Sequence, residues 1–399
     1  VTPATATGLR QRYSRRYPHR LLTAMALALV DAVGTACRRS GLIRHRHLRL
    51  PPCPSFLVIR NDHIGDVVLA TPVTGALRER FPGCRITWLV QPDAAPLLRA
   101  DERIYEVLTM VPPWFDRYGT GRLDAVRRVW PAVRALRRRR FDAVIELRGD
   151  IRNIIWLGRC ATSAPVVSYQ DVTAGRGWVD YPHLYADGPE ISSNLRLLEP
   201  LGIDLRERNA QLRWTKASAV SVAEILAGHG VDPARPLVVI HPGAPWRYRR
   251  WPVERFNALC RTIEREYGVQ LVITGSASEA DLAHQTARGL KRATVLAGRL
   301  RIEQIPILLS MSRLLVSNDT AIVHMAAATA TPAVVLWGPG DRGKFAHPVR
   351  TMHIVSADPT CSPCPQRVCY HLDDWCMGRI TIDKVLDRAR AILGKPERC

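Results

Sequence analysis

Asp62 and Asp66 stand in a short polar stretch directly after the apolar run Phe56-Leu57-Val58-Ile59, with Gly65 between them. A carboxylate at the carboxyl end of a strand, beside a helix start, is well placed to take a proton from an attacking hydroxyl. Gly65 lets the backbone turn tightly and approach a ligand. Asp66 is also suited to capping the helix that follows, and this feature alone favours the cap. A second group follows another apolar run. His241-Pro242-Gly243-Ala244-Pro245 leads into Trp246-Arg247-Tyr248-Arg249-Arg250. A turn at Gly243 followed by Arg249 and Arg250 suits a diphosphate, because guanidinium forks bind phosphate oxygens in pairs. A basic surface loop has the same composition.

The most specific stretch is Ser317-Asn318-Asp319-Thr320-Ala321-Ile322-Val323-His324. It follows a strand pattern and opens a helix, whose first free N–H groups can hold a phosphate. Thr320 adds a hydroxyl, and Asp319 can accept hydrogen bonds from sugar hydroxyls. His324, four residues after Thr320, falls on the same side of the helix. A lone histidine of this kind is usually structural. Cys361, Cys364, Cys369 and Cys376 form a further cluster. Four thiols can bind a structural zinc tetrahedrally. Disulfide pairing or free thiols account for the cluster as well.

These residues need elements to place them. The run from Phe56 to Ile59 reads as a buried strand. A helical pattern follows through Val67, Val68, Leu69, Val73, Leu77 and Phe81, then a strand from Ile86 to Val90. Strand, helix and strand in this order is a βαβ unit and implies a parallel sheet. An arginine-rich helix over Arg127 to Arg140 and a strand over Phe141 to Leu147 continue the pattern. Arg137 to Arg140 read as a solvated helix face, with a contact to membrane phosphates as the alternative. The stretch from Gln170 to Arg213 is less regular, with a helix over Ser193 to Leu201. Beyond it, strands at 237–240, 271–273, 314–316 and 333–336 alternate with helices. The expected organisation is an N-terminal segment 1–54, a first doubly wound α/β domain 55–213 and a second 214–399. Ligands of such sheets sit beyond the carboxyl ends of the strands, and two such domains suggest a cleft between them.

The bulk composition agrees with this frame. The 399 residues are 47% hydrophobic, enough for two sizeable cores. The net charge of +21 favours anionic partners such as phosphorylated substrates or an acidic membrane surface. No helix-turn-helix or RNA-binding aromatic motif accompanies the charge, so no nucleic-acid partner is expected. The other six cysteines are dispersed, unlike a secreted disulfide scaffold, and indicate a reducing compartment.

At the N-terminus, Arg10, Arg12, Arg15, Arg16 and Arg20 precede an apolar run from Leu21 to Cys37, and Arg38, Arg39, Arg44 and Arg46 follow it. A signal peptide is one reading. Asp31 within the run and the second basic flank speak against it, and the run is short for a spanning helix. A helix lying in the interface of an anionic membrane and a helix packed on the protein's own surface remain as the two readings.

Taken together, Arg60-Asn61-Asp62-His63-Ile64-Gly65-Asp66 with Thr71-Pro72, His241-Pro242-Gly243, Trp251-Pro252, Gly275 with Glu279, Ser317 to His324, and Trp337-Gly338-Pro339 resemble, in order, the signatures of the ADP-heptose:lipopolysaccharide heptosyltransferases. The resemblance covers roughly residues 55 to 395. It implies a GT-B fold and an inverting transfer that requires no metal or other cofactor for catalysis. It also implies a first domain for the acceptor and a second for a nucleotide-diphosphate sugar. Carried over, Asp66 matches the catalytic base and Asp319 the residue that holds donor-sugar hydroxyls. Thr320, Ala321 and His324 match the phosphate-binding helix start. Glu279 matches an acidic residue on the nucleoside side. Arg249 stands where relatives often carry lysine, and Ala321 where glycine is frequent. Arg60, Asp62, Arg148 and Asp150 are the expected acceptor side. The implied setting is cytoplasmic, on the inner face of the membrane, with a lipid-linked saccharide as acceptor. Another donor sugar, or a catalytically idle GT-B protein that binds membrane or nucleic acid, are the alternatives.

Overall fold

The computed structural model describes residues 21–394 except 116–123, 171–174, 186, 205, 207, 348, 365, 367, 372 and 373. The basic residues Arg10 to Arg20 therefore lie outside the described part. The chain divides into two compact units, Val1–Arg208 and Asn209–Cys399. The second begins at 209, where 214 was expected.

The first unit carries β1 (Ser55–Arg60), β2 (Arg85–Val90), β3 (Glu106–Thr109), β4 (Ala143–Glu146), β5 (Val166–Tyr169) and β6 (Tyr181–His183). They form one sheet in the order β3-β2-β1-β4-β5-β6, parallel throughout. Parallel sheets are covered on both faces, which is why Phe56, Leu57, Val58 and Ile59 are all fully buried instead of alternating. The helical pattern after β1 is two helices, Ile64–Ala70 and Pro72–Arg80. Pro72 has no N–H to continue the first helix, but at the start of the second it needs none. The expected arginine-rich helix runs over Asp124–Arg137, and Leu57, Val133, Leu136, Val144 and Leu157 meet in the core.

The second unit carries β7 (Leu237–His241), β8 (Gln270–Ile273), β9 (Ala293–Val295), β10 (Leu314–Asn318), β11 (Ala333–Trp337) and β12 (Met352–Ser356). Its sheet order, β12-β11-β10-β7-β8-β9, repeats that of the first, again all parallel. The helix Val253–Tyr267 shows why it packs there. Phe256, Leu259, Cys260, Ile263 and Tyr267 recur at helical spacing and are buried against β7 and β8 residues. It stops at Gly268, whose φ of 57° a side chain would resist.

β3, β5, β6, β9 and β12 were not anticipated. They are three to five residues long, and β3, β6, β9 and β12 lie at or near the sheet edges, where burial patterning is weak. In each sheet the chain order reverses once, between β1 and β4 and between β7 and β10. The segments that follow the strands at those two reversal points carry Asp62, Asp66, Arg148, Arg249 and Asp319, while Glu279 and Gly338 follow β8 and β11.

Candidate functional site

In the first unit the loops after β1 and β4 bring arginines and carboxylates together. Arg60, at the end of β1, is buried, and its Nη2 lies 3.0 Å from Asp66 Oδ1, 2.8 Å from Glu190 Oε1 and 3.6 Å from Asp62 Oδ2. Its Nη1 donates to the Leu147 carbonyl at 2.5 Å, which ties β1 to the end of β4. Burial alone would lower the Arg60 pKa, but the three carboxylates outweigh it and hold the guanidinium charged. Arg148 lies 2.9 Å from Asp62. Burial alone would raise Asp62, yet Arg148 and Arg60 pull it below the usual carboxylate range. Asp66 sits in the first turn of Ile64–Ala70 and retains 15% side-chain exposure. Of these carboxylates it is the one that a ligand could reach while a buried arginine fixes its direction.

Asp150 is placed differently from the expectation. Its side chain is fully buried, caps the backbone N–H of Arg152 and receives that residue's guanidinium at 2.8 and 2.6 Å. Burial would raise it, but those bonds lower it. Asp150 thus organises the loop. Glu146, at the end of β4, is also buried, accepts from Gly149, Asn153 and Ser168, and is pushed up by burial. Glu190 has no local signal in the sequence. It lies far along the chain from Arg60, and only the fold pairs them.

In the second unit Asn318, at the end of β10, joins the two strands of the reversal. Its Nδ2 donates to the carbonyls of Pro242 and Gly243, and its Oδ1 accepts from the Trp251 N–H. This clamp fixes the loop that carries Arg249. The Arg249 Nη2 donates to Asp319 Oδ2 at 2.6 Å and to the Asp319 carbonyl. Asp319 is buried, and burial raises its pKa although Arg249 opposes this. Thr320 precedes the helix Ala321–Ala328, whose start has no side-chain cap, although the Val323 N–H donates to the Thr320 carbonyl at 3.0 Å. The Thr320 Oγ1 and the Arg249 Nε are buried without a hydrogen-bond partner. An unsatisfied buried polar group costs about 1–3 kcal/mol, so both can take an acceptor from a ligand or from water.

Gly243 permits a close approach, since a Cβ there would meet Glu279 Oε1 at 2.2 Å. The other oxygen of Glu279 accepts from the backbone and hydroxyl of Ser276, each at 2.8 Å. Gly340, which the sequence reading did not select, plays the same part for Asp319, whose Oδ2 would lie 2.3 Å from a Cβ. Arg250 turns away from Asp319, and its Nε donates to the Ala244 carbonyl. His324 is buried behind the helix start, with Nδ1 2.8 Å from Nε2 of His347. Burial lowers both rings, His347 to about 4. His324 supports the helix from beneath.

Cys361, Cys364, Cys369 and Cys376 line a single cavity of about 110 Å³ with His371 and Asp374. All four are free thiols, and among the described residues no three His, Cys, Asp or Glu side chains are grouped to hold a metal.

The profile of glycosyltransferase family 9 (heptosyltransferase) matches residues 129–373. The chain belongs to this family. Among similar proteins, lipopolysaccharide heptosyltransferase 3 of Escherichia coli K12 is 29% identical, over 69% of this chain and 80% of its own length. Lipopolysaccharide heptosyltransferase 1 of Pseudomonas aeruginosa is 26% identical, over 78% of this chain and 86% of its own. The structure of E. coli ADP-heptose lps heptosyltransferase II superimposes with a TM-score of 0.70 at 18% identity, covering 85% of this chain and 98% of that one. The family 9 chain therefore has the GT-B fold, each half built on the six-stranded parallel sheet described above.

Proposed function

We propose that this glycosyltransferase moves heptose from ADP-heptose to a saccharide of the lipopolysaccharide core or a related lipid-linked acceptor, with inversion at the anomeric carbon. The observation that carries the donor site is the arrangement at the β7–β10 reversal. There, Arg249, Thr320 and the start of Ala321–Ala328 present a cation, a buried hydroxyl and a helix N-terminus without a side-chain cap. That set matches a diphosphate. The names of the similar proteins support heptose as the sugar and ADP as its carrier.

The chemistry follows from charge. The acceptor oxygen forms a bond to the anomeric carbon as the bond to the diphosphate oxygen breaks. The acceptor proton passes to Asp66, which Arg60 orients. Negative charge grows on the leaving diphosphate, where Arg249 and the helix start stabilise it without a metal. Asp319 receives hydrogen bonds from the sugar hydroxyls, and Glu279 lies on the nucleoside side. On this reading the enzyme works at the cytoplasmic face of the inner membrane.

The test is calorimetric titration with ADP-heptose, a UDP-sugar and a GDP-sugar, with transfer to a heptose-deficient core acceptor followed in parallel. Selective ADP-heptose binding that Asp319→Ala abolishes, and transfer that Asp66→Asn abolishes, are the expected results. Selective binding of another nucleotide sugar would overturn the donor, and transfer that survives in Asp66→Asn would overturn the base.

A further inference from the structure

The helix Leu21–Arg39 is amphipathic in the inverted sense for a water-soluble surface. Asp31 and Arg38 turn toward the protein. Asp31 accepts from the backbone N–H of Arg176 at 3.0 Å, and Arg38 donates to Asp180 and to the Val179 carbonyl. The Trp178 indole donates to the Val30 carbonyl, and Gly34 lies so close that a Cβ there would meet Trp178 Nε1 at 2.1 Å. The helix is thus seated on the 175–180 segment of the first unit.

Its other face is apolar and open. Met25, Leu29 and Val33, each four residues apart, are 60%, 65% and 48% exposed. Ala28, Ala32 and Ala36 fill the spaces between them, also exposed. Spacings of three and four place all six on one stripe. No charge interrupts it. The stripe ends at exposed Arg39, and exposed Arg44 and Arg49 follow, with Leu42 79% exposed among them. Among the described residues no helix is long and apolar enough to cross a membrane.

We propose that this face docks the protein on an anionic lipid bilayer, with the helix lying in the interface plane. Met25, Leu29 and Val33 enter the acyl boundary, and Arg39, Arg44 and Arg49 meet lipid phosphates. The occupant is set by complementarity on two counts. A bilayer surface offers an apolar layer and, a few ångströms above it, a layer of negative charge. The stripe and its arginine end present the matching pair, on a chain whose net charge is +21. The proposal does not rest on the identity of donor or acceptor.

The experiment is co-sedimentation of the full chain with vesicles of phosphatidylcholine alone and of phosphatidylcholine with one third phosphatidylglycerol, at low and high salt. The expected result is binding to the anionic vesicles that weakens with salt. Leu29→Glu/Val33→Glu should lower the partition coefficient by at least about tenfold, and Arg39→Glu/Arg44→Glu should remove the preference for anionic lipid. Because the four substitutions lie on exposed positions, ADP-heptose binding and circular dichroism should stay unchanged and report an intact fold. Equal partition of wild type and Leu29→Glu/Val33→Glu would overturn the proposal. So would absence of vesicle binding together with a concentration-dependent dimer that the same pair of substitutions breaks, since the stripe would then be an interface between copies. ADP-heptose binding that fails while vesicle binding persists would sink the donor assignment and leave the docking surface standing.

Discussion

Three groups of single residues carry the argument at the smallest scale. If Asp66 is the proton acceptor as proposed, Asp66→Asn keeps the shape and removes it, so kcat should fall by about 10²- to 10⁴-fold while donor affinity holds. Stopped-flow or end-point transfer assays with calorimetry separate the two. Arg60 is a positioning residue, and Arg60→Met removes the cation that faces buried Glu190, while Asp62 keeps Arg148. A loss of about 3–5 kcal/mol in urea denaturation is expected. The buried His324–His347 pair predicts a pH dependence. Burial depresses both rings in the folded state, His347 from 6.5 to about 4. The unfolded chain therefore binds protons first as pH falls. Stability is full above roughly pH 6.5 and declines between 6.5 and 4, by up to about 3 kcal/mol from His347. Melting curves from pH 7.5 to 4.5 should show a steeper decline in the wild type than in His347→Asn. Equal slopes would mean that the pair does not titrate as described.

At the scale of elements, the loop after β7 at the second reversal point is packed closely, with Gly243 against Glu279. In the loop after β11, a Cβ at Gly338 would meet Met377 Sδ at 2.4 Å and Cys376 Sγ at 3.1 Å. Ser362 Oγ and the Cys364 N–H also donate to carbonyls of Gly340 and Pro339. The cysteine-rich segment thus packs directly on the loop that confines Asp319. Gly338→Ala should cost about 1–3 kcal/mol through overpacking. Gly340→Ala should act on function first, because its Cβ displaces the Asp319 carboxylate. A rise in donor Kd of roughly tenfold or more, with little change in melting temperature, is the expected pattern. A comparable loss of melting temperature in both variants would argue that neither glycine is specific to the site.

On the scale of the whole molecule, each unit closes its own parallel sheet and its own core. Residues 209–399 should therefore fold alone and, on the proposed donor assignment, bind ADP-heptose with a Kd within about tenfold of the full chain, because Arg249, Glu279, Asp319 and Thr320 all lie in that unit. Cooperative unfolding of the fragment together with calorimetric binding checks this. A fragment that folds but does not bind would show that the donor site needs groups from the first unit.

The amino-acid sequence by itself determined the class of fold and the strand ends at which polar residues gather. Long apolar runs ending in Asp62, Gly243 and Asp319 can only be buried strands followed by loops, and polar residues at those ends are presented together wherever the sheet order reverses. It also held the family signature, since that is a matter of residue types in order. What it left open was how each polar group is used. Asp150 and Glu279 both follow strand patterns and both read as facing a ligand, yet the first is buried under Arg152 and the second is braced by Ser276. Glu190 and His347 carry no local pattern, because their partners Arg60 and His324 are distant in the chain and meet only after folding. The N-terminal helix makes the same point. Periodicity marked Leu21 to Cys37 as apolar, but only its seating on Trp178 decided which face is left to solvent. Local sequence specifies periodicity and chemistry. Burial and pairing are long-range properties, and the tertiary structure alone decides them.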